Sequence, residues 1–229
     1  MSKPIIVAID GPAGAGKSTV SKIVARKLRF SLVDTGAIYR CVALAARERN
    51  IALDDDPKLE ALLDELHISF AVMGEANHVF LDGQDVSLSI RTPENSMAAS
   101  KVSQRPVVRT KLLALQRRLA LESKRGAVLE GRDIGTVVFP DADLKFFLDA
   151  DPAVRARRRY EELVIKGVEK PLEEVLKEQE KRDQQDSERD VAPLKPADDA
   201  VRLDSTQLPI SEVVHRIEEA VLAKLGKQS

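Results

Sequence analysis

Tryptophan is absent from this sequence, and cysteine occurs once, at Cys41. A lone thiol forms no internal disulfide, so a reducing compartment is expected. The three scattered histidines, His67, His78 and His215, add up to a poor metal-ligand set beside it. Cys41 stands in an apolar helical pattern with no histidine near it in sequence, which favours a core position over a nucleophile. An excess of one charge is also missing, with 36 Lys and Arg against 37 Asp and Glu. That balance excludes the global field of a nucleic-acid or membrane-surface binder, so any basic site must be local. No apolar run approaches the roughly 20 residues that a membrane span needs. Met1-Ser2-Lys3-Pro4 leads straight into a strand, so no secretory leader is expected. The expectation is a soluble cytoplasmic monomer with no nucleic-acid or membrane partner. At 229 residues it could hold one large α/β domain or two small ones, and one domain with insertions is preferred.

What is present begins at Ile5 to Ile9, an apolar run of buried-strand length. It passes directly into Asp10-Gly11-Pro12-Ala13-Gly14-Ala15-Gly16-Lys17-Ser18-Thr19 and then into helix-forming sequence. The spacing G-x-x-x-x-G-K-S is that of a phosphate-binding loop, in which small residues let consecutive backbone N–H groups turn around phosphate oxygens. A glycine-rich turn could match the pattern by chance. Its placement between a strand and a helix is what the mechanism requires. Lys17, expected at a solvent-facing ligand site, would reach the β and γ phosphates, Ser18 would offer its hydroxyl to Mg2+, and the helix would point its positive end at the anion.

Strands alternate with helices from there. Val20, Ile23, Val24 and Leu28 recur at helical spacing, Leu32 and Val33 form a short strand, and a helix runs through Ile38, Cys41 and Val42. Between 51 and 105 the pattern changes: Ile68, Phe70 and Val72 alternate, and Asp82-Gly83 marks a turn, which predicts a small antiparallel sheet as an insert. Helices follow near Thr92 to Ser103 and from Pro106 through Leu112, Leu113, Leu115, Leu119 and Leu121. Ala127 to Leu129 and Leu144 to Leu148 are further buried strands, then come a helical stretch from Pro171 to about Arg189, a strand at Val201 to Leu203, and a closing helix carrying His215. Such alternation implies parallel pairing, with functional loops at the strands' carboxyl ends, where Gly11, Asp34 and Arg132 fall.

Candidate phosphate clamps are Arg40, Arg91, Arg109, Arg132, Arg182 and Arg189, because a guanidinium pairs with phosphate oxygens bidentately and stays charged. Any one of them alone reads more simply as a surface residue or a partner of nearby acids. Arg155, Arg157, Arg158 and Arg159 repel one another unless anions intervene, which predicts a mobile cover over ATP phosphates. Glu130 ends an apolar strand where a magnesium-binding acid would stand, or it is a strand-end carboxylate with no metal role.

These residues together resemble the bacterial cytidylate kinase family, within the nucleoside monophosphate kinase group. The resemblance spans nearly the whole chain, through IDGPAGAGKST (9–19), DTGAIYR (34–40), IRT (90–92), EGRDIGTVVFPDA (130–142), KRDQQDSERDVAPL (181–194) and LDST (203–206). It implies an α/β P-loop nucleoside monophosphate kinase fold, with a parallel central sheet flanked by helices, an antiparallel insert and a basic lid. The core would be about 1–50, 106–154 and 190–229, the monophosphate-binding insert about 51–105 and the lid about 155–170. It also implies ATP and Mg2+ as donor and metal, and CMP or dCMP as acceptor. Residues 11–19 would hold the donor, while Arg40, Arg132 and Arg189 would hold the acceptor phosphate with Thr35 and Tyr39 in the same substrate site. Ser100, Arg109 and Asp133 would read the cytosine, Arg182 and Asp186 would meet the sugar, and Lys17, Arg132, Arg189 and Arg158 would be catalytic. Ser18 and Glu130 would hold the metal. Where some relatives have glycine at Ser18 and serine at Thr35, no hydroxyl is lost. Another pyrimidine monophosphate is the near alternative acceptor. A nucleotide-switched regulator is the distant one, and the second arginine set and the lack of an Asn-Lys-x-Asp guanine motif speak against it.

Overall fold

A computed structural model describes residues 3–74 and 76–226. The amino-terminal reading at Met1 and Ser2, and the last three positions of the 190–229 core stretch, lie outside them. The backbone divides into two compact units, residues 1–31 with 123–229 and residues 32–122.

The first unit is built on β1 (Ile5–Asp10), every residue of which is buried. It pairs in parallel with β6 (Gly126–Gly131) on one side and β7 (Leu144–Asp149) on the other, and β7 pairs in parallel with β8 (Val201–Asp204). The strand order is therefore β6, β1, β7, β8. Strands buried on both faces read as continuous apolar runs, which is why Ile5 to Ile9 and Ala127 to Leu129 were legible. Helices α1 (Lys17–Leu28) and α8 (Ile210–Gly226) pack together, α1 against β1 and β6 and α8 against β7. Helices α6 (Pro152–Ile165) and α7 (Leu172–Glu188) pack on each other. The first of these was not predicted as a helix: its arginines mask the pattern, yet Asp151 caps it by accepting from the N–H groups of Ala153 and Val154, and Pro152 opens it. His215 is exposed on α8. The carboxyl ends of the parallel strands carry the phosphate loop, Glu130-Gly131-Arg132, and Asp204-Ser205.

The second unit begins with β2 (Ser31–Asp34, its first residue in unit 1) and α2 (Thr35–Glu48), which is capped by the Asp34 carboxylate accepting from Ala37 N–H. Next come α3 (Asp56–Glu65) and the antiparallel sheet of β3 (Ile68–Met73), β4 (Ala76–Leu81) and β5 (Gln84–Asp85). A 3-10 turn at Ser89–Arg91, α4 (Pro93–Val102) and α5 (Pro106–Leu121) complete it. The unit extends further in both directions than the stretch 51–105 because α2 packs on α4 and α3 on α5. Cys41 is fully buried. The leucine pattern of α5 differs from the expected one: its buried stripe is Val108, Arg109, Leu112, Gln116 and Ala120, and Leu121 is 47% exposed. The observed stripe follows the helical repeat, whereas the leucines spread over more than one face. Among the described residues, no helix is long and apolar enough to cross a membrane.

One close approach lies just past the end of β1. Gly11 has φ +145°, and a Cβ there would stand 1.9 Å from the Leu148 carbonyl oxygen on β7. Gly11→Ala is therefore expected to cost at least about 3 kcal/mol, above ordinary overpacking. Gly16→Ala, where φ is +90° and a Cβ meets open space, should cost only the roughly 1–2 kcal/mol of left-handed strain. Urea unfolding midpoints of the two variants check the ordering, and equal losses would contradict it.

Candidate active site

The loop after β1 passes through Gly11, Gly14 and Gly16, all at positive φ, before α1 starts at Lys17. L-residues with side chains rarely adopt such angles, and their absence leaves backbone to line the turn. Lys17 is 6% exposed rather than solvent-facing, because its ammonium folds back to donate to the Pro12 carbonyl at 2.7 Å. Burial, and after it the charge of Arg132, push its pKa well below the usual lysine range, against the opposing pull of Glu130 and Asp10. A polyphosphate in this loop would supply the negative charge that favours the ammonium.

Ser18 Oγ donates to Glu130 Oε2 at 2.7 Å, and Glu130 is buried near the end of β6. This pair of side-chain oxygens beside the loop is of the type that fits magnesium, which takes one or two protein oxygens and otherwise water and phosphate oxygens.

The same unit brings together Arg132, Asp133, Asp186 and Arg189. Arg132 Nε donates to Asp186 Oδ2 at 2.9 Å, Arg189 Nη1 lies 3.5 Å from Asp186 Oδ1, and Arg189 Nη2 lies 3.9 Å from Asp133 Oδ1. Burial alone would raise the Asp186 pKa, but the charges of Arg132, Arg182 and Arg189 hold it below its ordinary value. The guanidinium of Arg158 is turned to Ser205, donating to its Oγ at 3.1 Å and its carbonyl at 2.6 Å. Arg155 is buried, donating to the Ala150 carbonyl at 2.8 Å and to an Asp183 oxygen. Of that basic cluster Arg157 is exposed, and Arg159 pairs with Glu162 at 3.0 Å.

The remaining candidates belong to the unit 32–122. Thr35 is buried at the start of α2, and Tyr39 and Arg40 follow one turn later. Asn95 Nδ2 donates to the Arg40 carbonyl at 3.0 Å. The Arg109 guanidinium sits 5.6 Å from the Tyr39 ring centroid and donates to the Ser103 carbonyl at 3.0 Å. Ser100 is half-buried on α4.

Sequence reasoning gave no role to Asp10 or Ser205, and it read Arg155 as part of a phosphate-facing cover rather than as a donor to backbone carbonyls. The buried Asp10 carboxylate accepts from the N–H groups of Ile134 at 2.8 Å and Gly135 at 2.7 Å, the first residues of a π-helical turn (Ile134–Val138). An acid immediately before the first loop glycine was the only available signal for it.

The family profile described as cytidylate kinase matches residues 7–223 of this chain. A cytidylate kinase from a Geobacter species is 50% identical over 223 residues, covering 97% of this chain and 95% of the relative. The cytidylate kinase of Geobacter sulfurreducens is 52% identical over 217 residues, covering 95% and 92%. A solved structure of an uncharacterized protein from Eubacterium ventriosum shares the fold at a TM-score of 0.53 with 13% identity, covering 95% of this chain and 98% of that one.

Burial first, and the nearby Asp133 charge, push the Asp10 carboxyl up to about 6, although the Gly135 and Ile134 N–H groups and Lys17 oppose the shift. The unfolded chain releases this proton near its ordinary value of about 4. Between those values the folded state holds more protons, so stability falls as pH rises through the window. Asp10→Asn has no such titration. The wild type's stability advantage over it should shrink by on the order of 1 kcal/mol between about pH 5 and about pH 7, at roughly 1.4 kcal/mol per unit of net shift. Urea unfolding of both proteins at the two pH values measures this, and a constant gap would refute it.

Proposed function

The chain belongs to the cytidylate kinase family, and we propose from its own residues how it performs that family's reaction. It is an ATP-dependent kinase that phosphorylates CMP, giving CDP and ADP. The observation that carries the mechanism is the arginine set around Asp186, with Arg132 close enough to Lys17 to depress its pKa. A switch protein needs one phosphate cradle; a phosphotransferase needs cations for the acceptor as well.

The acceptor oxygen belongs to a phosphate that is already ionised, so no general base is required and catalysis reduces to alignment and charge neutralisation. In our reading residues 11–19 hold the donor phosphates and Lys17 bridges them. Arg40, Arg132 and Arg189 hold the acceptor phosphate, with Thr35 and Tyr39 on the acceptor side, and Arg182 and Asp186 meet the ribose. Ser18 and Glu130 would hold magnesium, which would supply positive charge to the donor phosphates. The segment 155–170 excludes water from the donor, since an exposed γ-phosphoryl would be lost to hydrolysis. We assign dCMP as a second acceptor and a monomer as the working unit. ADP formation with ATP should rise at least about a hundredfold when CMP is added; a rate indifferent to CMP would contradict phosphoryl transfer.

Cytosine offers a 4-amino donor and an N3 acceptor where uracil offers an oxygen and an N–H. Ser100 and Asp133 accepting from the amine, and Arg109 donating to N3, would leave polar groups mismatched on uracil, at about 1–3 kcal/mol for each. Asp133→Ala and Arg109→Met are therefore expected to lower kcat/KM for CMP more than for UMP, narrowing their ratio about tenfold or more. Assays with both monophosphates decide. An unchanged ratio with lower activity would leave these residues positioning the site without reading the base.

A further inference from the structure

A trans peptide is planar, with its carbonyl oxygen and the following N–H on opposite sides. A loop that aims N–H groups at phosphate must therefore have its carbonyls held by donors on the far side. Two carbonyls are met from within: Pro12 O accepts from Lys17 Nζ at 2.7 Å and Gly16 O from Val20 N–H at 3.0 Å. Two more are met by distant residues. Ala13 O accepts from Arg155 Nη1 at 3.1 Å, and Ala15 O accepts from Ser205 Oγ at 3.1 Å.

Ser205 is 5% exposed and lies just beyond β8 in the LDST stretch, to which the reaction described above gives no part. Its hydroxyl also lies 3.0 Å from the Asp149 carbonyl, but that oxygen already receives the Ser205 backbone N–H at 2.8 Å. The Asp149 carbonyl thus has a backbone donor of its own, whereas the donor that reaches Ala15 O is Ser205 Oγ, and we assign the single hydroxyl proton to Ala15 O. Arg158 Nη1 donates to the same Oγ at 3.1 Å and so turns the proton away from itself, while Arg158 Nη2 holds the Ser205 carbonyl at 2.6 Å. The next residue is fixed as well, since Thr206 Oγ1 accepts from Asp151 N–H at 2.9 Å.

We propose that Ser205 is a positioning residue for the donor phosphates: by pinning the Ala15 carbonyl it keeps the Gly16 N–H aimed into the cradle, and Arg158 acts through it. Arg155 does the same for Gly14 N–H through the Ala13 carbonyl. The proposal rests on residues 11–19 being the donor cradle.

The test uses the full chain with four variants, Ser205→Ala, Arg158→Met, their double mutant and Lys17→Ala. It reads ADP affinity by calorimetry and KM for ATP and CMP separately. Ser205→Ala is expected to weaken ADP and raise KM for ATP about five- to tenfold, the scale of one lost hydrogen bond, with KM for CMP within about twofold. Arg158→Met should have a similar effect alone and none in the Ser205→Ala background. Unchanged ADP affinity in Ser205→Ala overturns the proposal. So does an Arg158→Met effect that is undiminished in the double mutant, which would place Arg158 on the phosphates directly. A general loss reaching CMP equally would mark Ser205 as merely structural. Lys17→Ala separates the premise: if it keeps normal turnover, the donor cradle itself is wrong, whereas its loss of turnover beside an unaffected Ser205→Ala leaves the cradle standing and the proposal refuted.

Discussion

Two hydrogen bonds, from the N–H groups of Ile134 and Gly135 to the buried Asp10 carboxylate, join the end of β1 to the turn that follows β6. The phosphate loop starts one residue after Asp10, and Arg132 and Asp133 stand immediately before Ile134. A single carboxylate therefore fixes the donor loop relative to the arginine that we assign to the acceptor. The sheet makes this possible, because parallel pairing in register from Ile5 with Gly126 to Asp10 with Gly131 brings both strand ends to the same level. Gly135 must lie close for the same reason, since a Cβ there would meet the Lys145 side chain at 3.1 Å and Asp10 Oδ2 at 3.4 Å.

Around this anchor the unit concentrates charge that is costly to bury. Arg132 and Arg189 share Asp186, and Arg155 donates to Asp183 while also serving backbone carbonyls. Removing one partner of such a pair leaves an uncompensated buried charge, so these acids restrain the guanidiniums in the absence of an anion. Lys17 has no comparable carboxylate hydrogen bond and its pKa drops instead. The site therefore stores part of its positive potential in an ammonium that a phosphate would favour, and the rest in arginines that cannot lose their protons.

The donor loop and the parallel strands were legible because their signals are local: Gly spacing, an unbroken apolar run, an acid or arginine just past a strand. The small antiparallel sheet was legible from alternation and Asp82-Gly83, although the alternation overstated burial, since Val72 is 75% exposed. What escaped was set by partners far away in sequence. Ser205 is 190 positions from Ala15, and Arg155 is 142 from Ala13. Neither periodicity nor charge spacing carries that information. The basic run at 155–159 pointed toward phosphate, yet the structure turns Arg155 and Arg158 onto backbone carbonyls and a serine. Those acceptors, with Asp183 and Glu162, relieve the repulsion within the run.

The base-reading role that we propose for Arg109 would place a different demand on the unit 32–122. Arg109 belongs to the buried stripe of α5, where the sequence suggested leucines alone, and its guanidinium faces the Tyr39 ring while donating to the Ser103 carbonyl. A long flexible side chain held on two sides loses little further entropy when it donates to a base, so more of that hydrogen bond's energy appears as discrimination. Lysine could keep the positive charge but not the planar fork that stacks on Tyr39 and donates elsewhere at the same time. In that proposed role the requirement on this residue is geometric before it is electrostatic, which would account for an arginine at a buried helical position where an aliphatic residue would pack more cheaply.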